Sequence, residues 1–127
     1  MKTLALLAAA LVALSACAPV QPPRGGLLDV IDRPAERALL AGMRAYDEGQ
    51  YTDAEKQLQG ALTANLASPR DRAAAHKLLA FIYCTSQRIP ACEAAFRAAR
   101  GSDPGFALSH AEAGHPLWGP VYKRTLP

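Results

Sequence analysis

Four stretches of the chain repeat apolar residues at helical spacing, and breakers separate them. Leu39, Leu40, Met43 and Tyr46 recur along a segment from Pro34 to about Glu48. Ala54, Leu58, Ala61 and Leu62 share one face of a segment from Tyr51 to about Leu66. Leu79, Ala80 and Tyr83 mark a third helix, from Pro69 to about Thr85, and Cys92, Phe96 and Ala99 a fourth, from Pro90 to about Arg100. The punctuation agrees with these bounds. Asp32 reads as an N-cap with Pro34 just inside the first turn, and Gly49 ends that helix. Asn65 to Pro69 interrupts the chain, Ser68 caps the third helix, and Asp71 sits by its positive end. Gly101 and Asp103-Pro104 stop the fourth.

These helices form two hairpins, and the hairpins repeat. Gly42, Ala54, Leu58 and Ala61 in the first correspond to Ala80, Cys92, Phe96 and Ala99 in the second, each pair separated by 38 positions. Small residues at 42 and 80 let the two helices of a hairpin approach closely, with Ala54 and Cys92 facing them. Leu58 and Phe96 fill the wider part of each interface. The tail should cover the end of such a short stack. Ser109-His110-Ala111-Glu112 is a capping-box pattern, stopped by Gly114 and Pro116. Leu117, Trp118, Val121 and Tyr122 follow, and most of them are expected to pack on the fourth helix.

Leu79, Ala80, Tyr83, Cys92, Phe96, Ala99 and Pro104 match, with its spacings, the pattern of the tetratricopeptide repeat, which this region resembles. The first unit fits through Gly42, Gly49, Tyr51, Ala54, Leu58 and Ala61. It departs at Leu66, where the pattern has proline, and about four extra residues separate the units. The tryptophan position holds Ala38 and His76. The resemblance implies an all-α fold: two tetratricopeptide-like helical hairpins in a short right-handed stack with a C-terminal capping segment, spanning residues 34–127. It also implies a protein-binding concave face lined by the first helix of each unit. Leu39, Met43, Tyr46 and Asp47 would look inward from the first unit, and Lys77 and Phe81 from the second. Such a strip suits an extended or helical peptide, unless the chain's own N-terminal cluster (Leu27, Leu28, Val30, Ile31) or its tail covers it.

The N-terminus has another character. Lys2 precedes an unbroken apolar run from Leu4 to Leu14, too short to span a bilayer and sized for a signal h-region. Leu14-Ser15-Ala16-Cys17 resembles the lipobox of bacterial lipoproteins. That resemblance implies a signal peptide over residues 1–16, cleavage before Cys17, and acylation of Cys17 with chains such as palmitate. Each buried CH₂ contributes about 0.8 kcal/mol, so several chains anchor stably. Ala18, where an aspartate would favour retention at the inner membrane, implies the periplasmic face of the outer membrane. An ordinary signal peptide with Cys17 incidental is the competing reading. Residues 17–33 complete the lipidated cysteine and a flexible tether, with three prolines before Gly25-Gly26.

Composition narrows the function. The chain has 127 residues, enough for one domain, with 6% aromatic residues and many alanines, which favours helices. A net charge of +3 is too mild to indicate nucleic acid. With Cys17 acylated, Cys84 and Cys92 remain as a pair in an oxidising compartment, facing each other across the second hairpin turn. A disulfide is expected, with two packed free thiols as the competing reading. His76, His110 and His115 match no metal-binding spacing with them, so no metal site or other cofactor is expected. No nucleophile elbow or paired acidic motif stands out, and Gly101-Ser102-Asp103-Pro104-Gly105 lacks the lysine and preceding strand of a phosphate loop.

The sequence therefore points to a lipid-anchored, non-enzymatic interaction scaffold. The resemblance to small repeat-bearing lipoproteins implies as its partner a protein or peptide segment of a bacterial envelope complex, of the secretion-system or pilus class. The alternative is a self-associating structural lipoprotein, a homo-oligomer with no separate client.

Overall fold

The computed structural model describes residues 33–127. The signal peptide, Cys17, the tether, the Leu27–Ile31 cluster and Asp32 lie outside the described residues. The described chain is all-helical, without strands: α1 Pro34–Asp47, α2 Tyr51–Thr63, α3 Pro69–Thr85, α4 Ile89–Ser102, α5 His110–Ala113 and α6 Gly119–Arg124.

Prolines open three of the four long helices, where a missing N–H costs no hydrogen bond. Ser68 Oγ accepts the Asp71 N–H at 3.2 Å, which caps α3. At α1 the cap position is Arg33, and its side chain makes no capping bond. Helix α2 ends at Thr63, short of the expected Leu66. Asn65 takes a left-handed conformation (φ +68°), which stops the helix and lets Leu66 drop fully into the core. Helix α4 runs through Gly101 to Ser102, and Asp103 ends it in extended backbone.

The two hairpin turns share one construction, 38 positions apart. Gly49 and Gln87 are both left-handed, at φ +73° and +62°. Their N–H groups donate to the carbonyls of Tyr46 and Cys84. The next residues, Gln50 and Arg88, have nearly the same backbone angles and donate to Ala45 and Tyr83, both at 2.8 Å. This turn returns α2 along α1 and α4 along α3.

The repeated positions form the core. Ala54, Leu58, Ala61, Ala80, Cys92, Phe96 and Ala99 are fully buried. A Cβ on Gly42 would stand 2.7 Å from Leu58 Cγ, so only glycine permits this approach of α1 and α2. Cys84 and Cys92 are joined by a disulfide, with Cα atoms 5.2 Å apart, tying α3 to α4 beside their turn. Helix α3 also packs on α2 and α1, which joins the hairpins.

The tail closes the open side of the second hairpin. The Ser109–Glu112 capping box forms and starts α5. Tyr122 sets its ring edge-on against Phe96, centroids 5.2 Å apart, and its hydroxyl accepts the Leu108 N–H. Val121 is buried beside it, whereas Leu117 remains 53% exposed. Arg124 pairs with Glu93 at 3.1 Å, and Arg100 donates to the Thr125 carbonyl, so the chain end is held to α4.

Candidate functional site

The residues expected on one concave strip fall into two environments. On α3, Phe81 is buried at 4% exposure, enclosed by Tyr46, Phe96 and Trp118. Lys77, one turn earlier, is engaged at 2.7 Å by Glu112 of the tail. Burial raises the Glu112 pKa, but the Lys77 hydrogen bond and the capping bonds from Ser109 outweigh it and hold the carboxyl below its ordinary value. The Trp118 indole N–H donates to the Glu112 carbonyl at 2.8 Å, so one residue anchors both the charge and the ring. The tail covers this half of the strip.

On α1, Tyr46 is half-buried and meets Tyr51 edge-on, with ring centroids 5.5 Å apart. Burial first, then the nearby Tyr51, Asp47 and Glu112, raise its hydroxyl pKa. Asp47 is exposed at the end of the helix. Leu39 is buried, but Met43 is 40% exposed and Leu40, on the same apolar periodicity, 48%. These last two carry most of the large apolar surface left open on α1.

They border a groove of about 540 Å³ between the first turns of α1 and α3. Leu39, Leu40, Met43 and Ala67 supply its apolar surface, and Glu36 and Asp71 its acidic walls. Glu36 was not singled out in the sequence, where it reads as an ordinary acid in a first turn. In the structure it is only 9% exposed.

A second concavity, of about 500 Å³, lies among α2, α3 and α4 over alanines of α4. Four of its polar groups are matched with one another. Arg88 binds Glu55 through two nitrogens, at 2.9 and 2.7 Å, and Gln59 donates to the Tyr83 hydroxyl at 3.0 Å. The Arg88 hydrogen bond lowers the Glu55 pKa despite burial. Burial lowers the pKa of His76, which lines the same groove.

Among the described residues, no three His, Cys, Asp or Glu side chains converge as metal ligands. None of the described helices is long and apolar enough to cross a membrane. Compared with models of protein families, with curated proteins and with solved structures, the chain matches none. The arrangement offers an open apolar shelf with acidic walls on α1, beside an aromatic cluster sealed by the tail.

Proposed function

We propose that this chain is a lipid-anchored scaffold or assembly accessory of a bacterial envelope complex, of the secretion-system or pilus class. Cys17 carries the acyl chains, and residues 18–33 tether the helical domain at the periplasmic face of the outer membrane. The two tetratricopeptide-like hairpins present a surface to another protein. The observation that carries this reading is the exposure of Leu40 and Met43 around the α1–α3 groove, next to a strip whose α3 half is covered by the tail. The reading assigns no reaction to the chain and needs no cofactor.

The test is gentle detergent extraction from the native membrane, followed by native gel migration and incorporation of labelled palmitate. The wild type should incorporate palmitate and migrate within a larger heteromeric complex. Cys17→Ala should lose the label, and Leu40→Asp with Met43→Asp should release a free monomer. A wild-type chain that migrates alone and co-purifies with nothing overturns the scaffold reading. A complex containing only this chain favours the self-associating alternative.

A further inference from the structure

We propose that residues 109–118 form a displaceable flap over a binding face on α3, and that the partner that opens it carries a carboxylate beside an aromatic ring. Lys77 receives the carboxylate and Phe81 the ring, as they receive Glu112 and Trp118 in the closed form. This inference rests on the scaffold reading and adds the α3 half of the strip to its interface.

The flap is bounded and self-contained. None of residues 109–118 is buried, whereas Leu108 and Gly119 on either side are. The Leu108 N–H donates to the Tyr122 hydroxyl at 3.3 Å, which ties the two ends together. A surface loop with joined ends and its own internal packing can lift as a unit. Here the internal bonds are the Ser109–Glu112 capping box, the Leu117 N–H to His115 Nδ1, and the indole N–H to the Glu112 carbonyl. His115 also stacks on the indole. Across to the hairpins, the flap makes one hydrogen bond among the described residues, from Lys77 Nζ to Glu112. Opening therefore breaks one ion pair and one ring stack, and leaves the base and the internal bonds in place. Segments held by so few buried contacts are the ones that open locally.

Beneath the flap lies a receptor for two groups. The Lys77 ammonium stands 5.8 Å from the centroid of the Phe81 ring, so the cation and the aromatic face adjoin. With the indole lifted, Phe81 presents that face to solvent beside Tyr46, whose ring centroid is 6.5 Å away. An aliphatic segment would leave Lys77 without its charge-assisted hydrogen bond, and a basic one would oppose it. A carboxylate and an aromatic ring held side by side replace both contacts. Until they do, the closed flap lowers the apparent affinity of the face for its partner, which makes it an autoinhibitory contact.

Photo-cross-linking of the full chain in its native cells tests this, with benzoylphenylalanine in place of Tyr46. The closed flap gives links to residues 109–118 of the same chain, and a bound partner gives links to another protein. Mass spectrometry measures both. The expected partner peptide has Asp or Glu next to an aromatic residue at the linked position. Glu112→Gln and Lys77→Gln break the same ion pair, and glutamine at 112 keeps the capping box. A merely structural contact would make both variants move the intermolecular share alike. The flap separates them. Glu112→Gln frees Lys77 and should raise the share about threefold or more, whereas Lys77→Gln also removes the receptor and should lower it below wild type. Unchanged circular dichroism shows that the variants fold. Amide exchange should be faster within 109–118 than at Leu108 and Tyr122, and equal rates overturn the flap. Variants that move the share in the same direction overturn the proposal, as does a partner peptide lacking the acid or the ring. Links to residues 18–32, to a second copy or to lipid overturn it too. If partner links are absent from wild type and Glu112→Gln while the chain still migrates in a heteromeric complex, the flap proposal falls and the scaffold reading stands.

Discussion

Trp118 lies flat against Phe81, with ring centroids 4.1 Å and planes 19° apart. A residue nine positions from the end of the sequence thereby closes the face of a helix that begins at Pro69. His115 stacks on the outer side of the indole and Phe96 meets Phe81 edge-on further in, so the tail is part of the core. Trp118→Ala should destabilise the domain by about 2–3 kcal/mol, below the full cost of a buried aromatic because the indole is only half-buried. Urea denaturation followed by circular dichroism measures this. Trp118 is the chain's only tryptophan, so its emission reports directly on docking of the tail.

The Lys77–Glu112 contact makes that docking pH-dependent. The folded-state pKa of Glu112 lies below the ordinary value of 4.5, so the unfolded chain takes up the proton more readily. Its contribution is therefore present above pH 4.5 and disappears as the pH falls through the folded value. Wild type should exceed Glu112→Gln in stability at neutral pH, and the gap should close in acid. Paired urea titrations from neutral pH downward check the sign, and a gap that widens in acid would contradict it.

The Cys84–Cys92 bond closes a short loop around the second turn. Reduction should cost about 2–3 kcal/mol in the chain-entropy account. Urea midpoints with and without reductant measure this. The first hairpin has Tyr46 and Ala54 at the equivalent positions and provides no comparable cross-link. Hydrogen exchange should therefore show α1 and α2 opening more readily than α3 and α4.

Two backbone positions should respond in opposite directions. Gly42→Ala forces a Cβ against Leu58, including its backbone nitrogen at 3.2 Å, and should cost about 1–3 kcal/mol. Gln87 holds a left-handed conformation that Gly49 adopts freely at the equivalent turn. Gln87→Gly should therefore be neutral or stabilising by up to about 1 kcal/mol, since relief of the strain offsets the extra freedom of the unfolded chain. Thermal melts of both variants test the pair, and a destabilised Gln87→Gly would show that its side chain matters more than its backbone.

Much of the helical framework was legible because it is local. Spacing of apolar residues set the faces, prolines and Ser68 marked starts, and the 38-residue offset identified which small and large residues meet. The hairpin turn between them brought Cys84 and Cys92 together. The end of α2 was misjudged at Leu66 because periodicity carries past Asn65, whose left-handed backbone is a turn property. Phe81 was read as part of the binding strip and lies buried under the tail, because periodicity does not distinguish a face offered to a partner from one covered by the chain itself.

The sequence by itself determined the helices, their pairing into two alike hairpins and the residues at each crossing, since these follow from contacts within a few turns. Only the tertiary structure decided what remains exposed. Long-range packing of Trp118 and Glu112 sealed Phe81 and Lys77, and left Leu40 and Met43 open. Placement of α1 beside the start of α3 set Glu36 in the wall of a groove, because a residue's solvation depends on every element around it, and no local pattern records that sum.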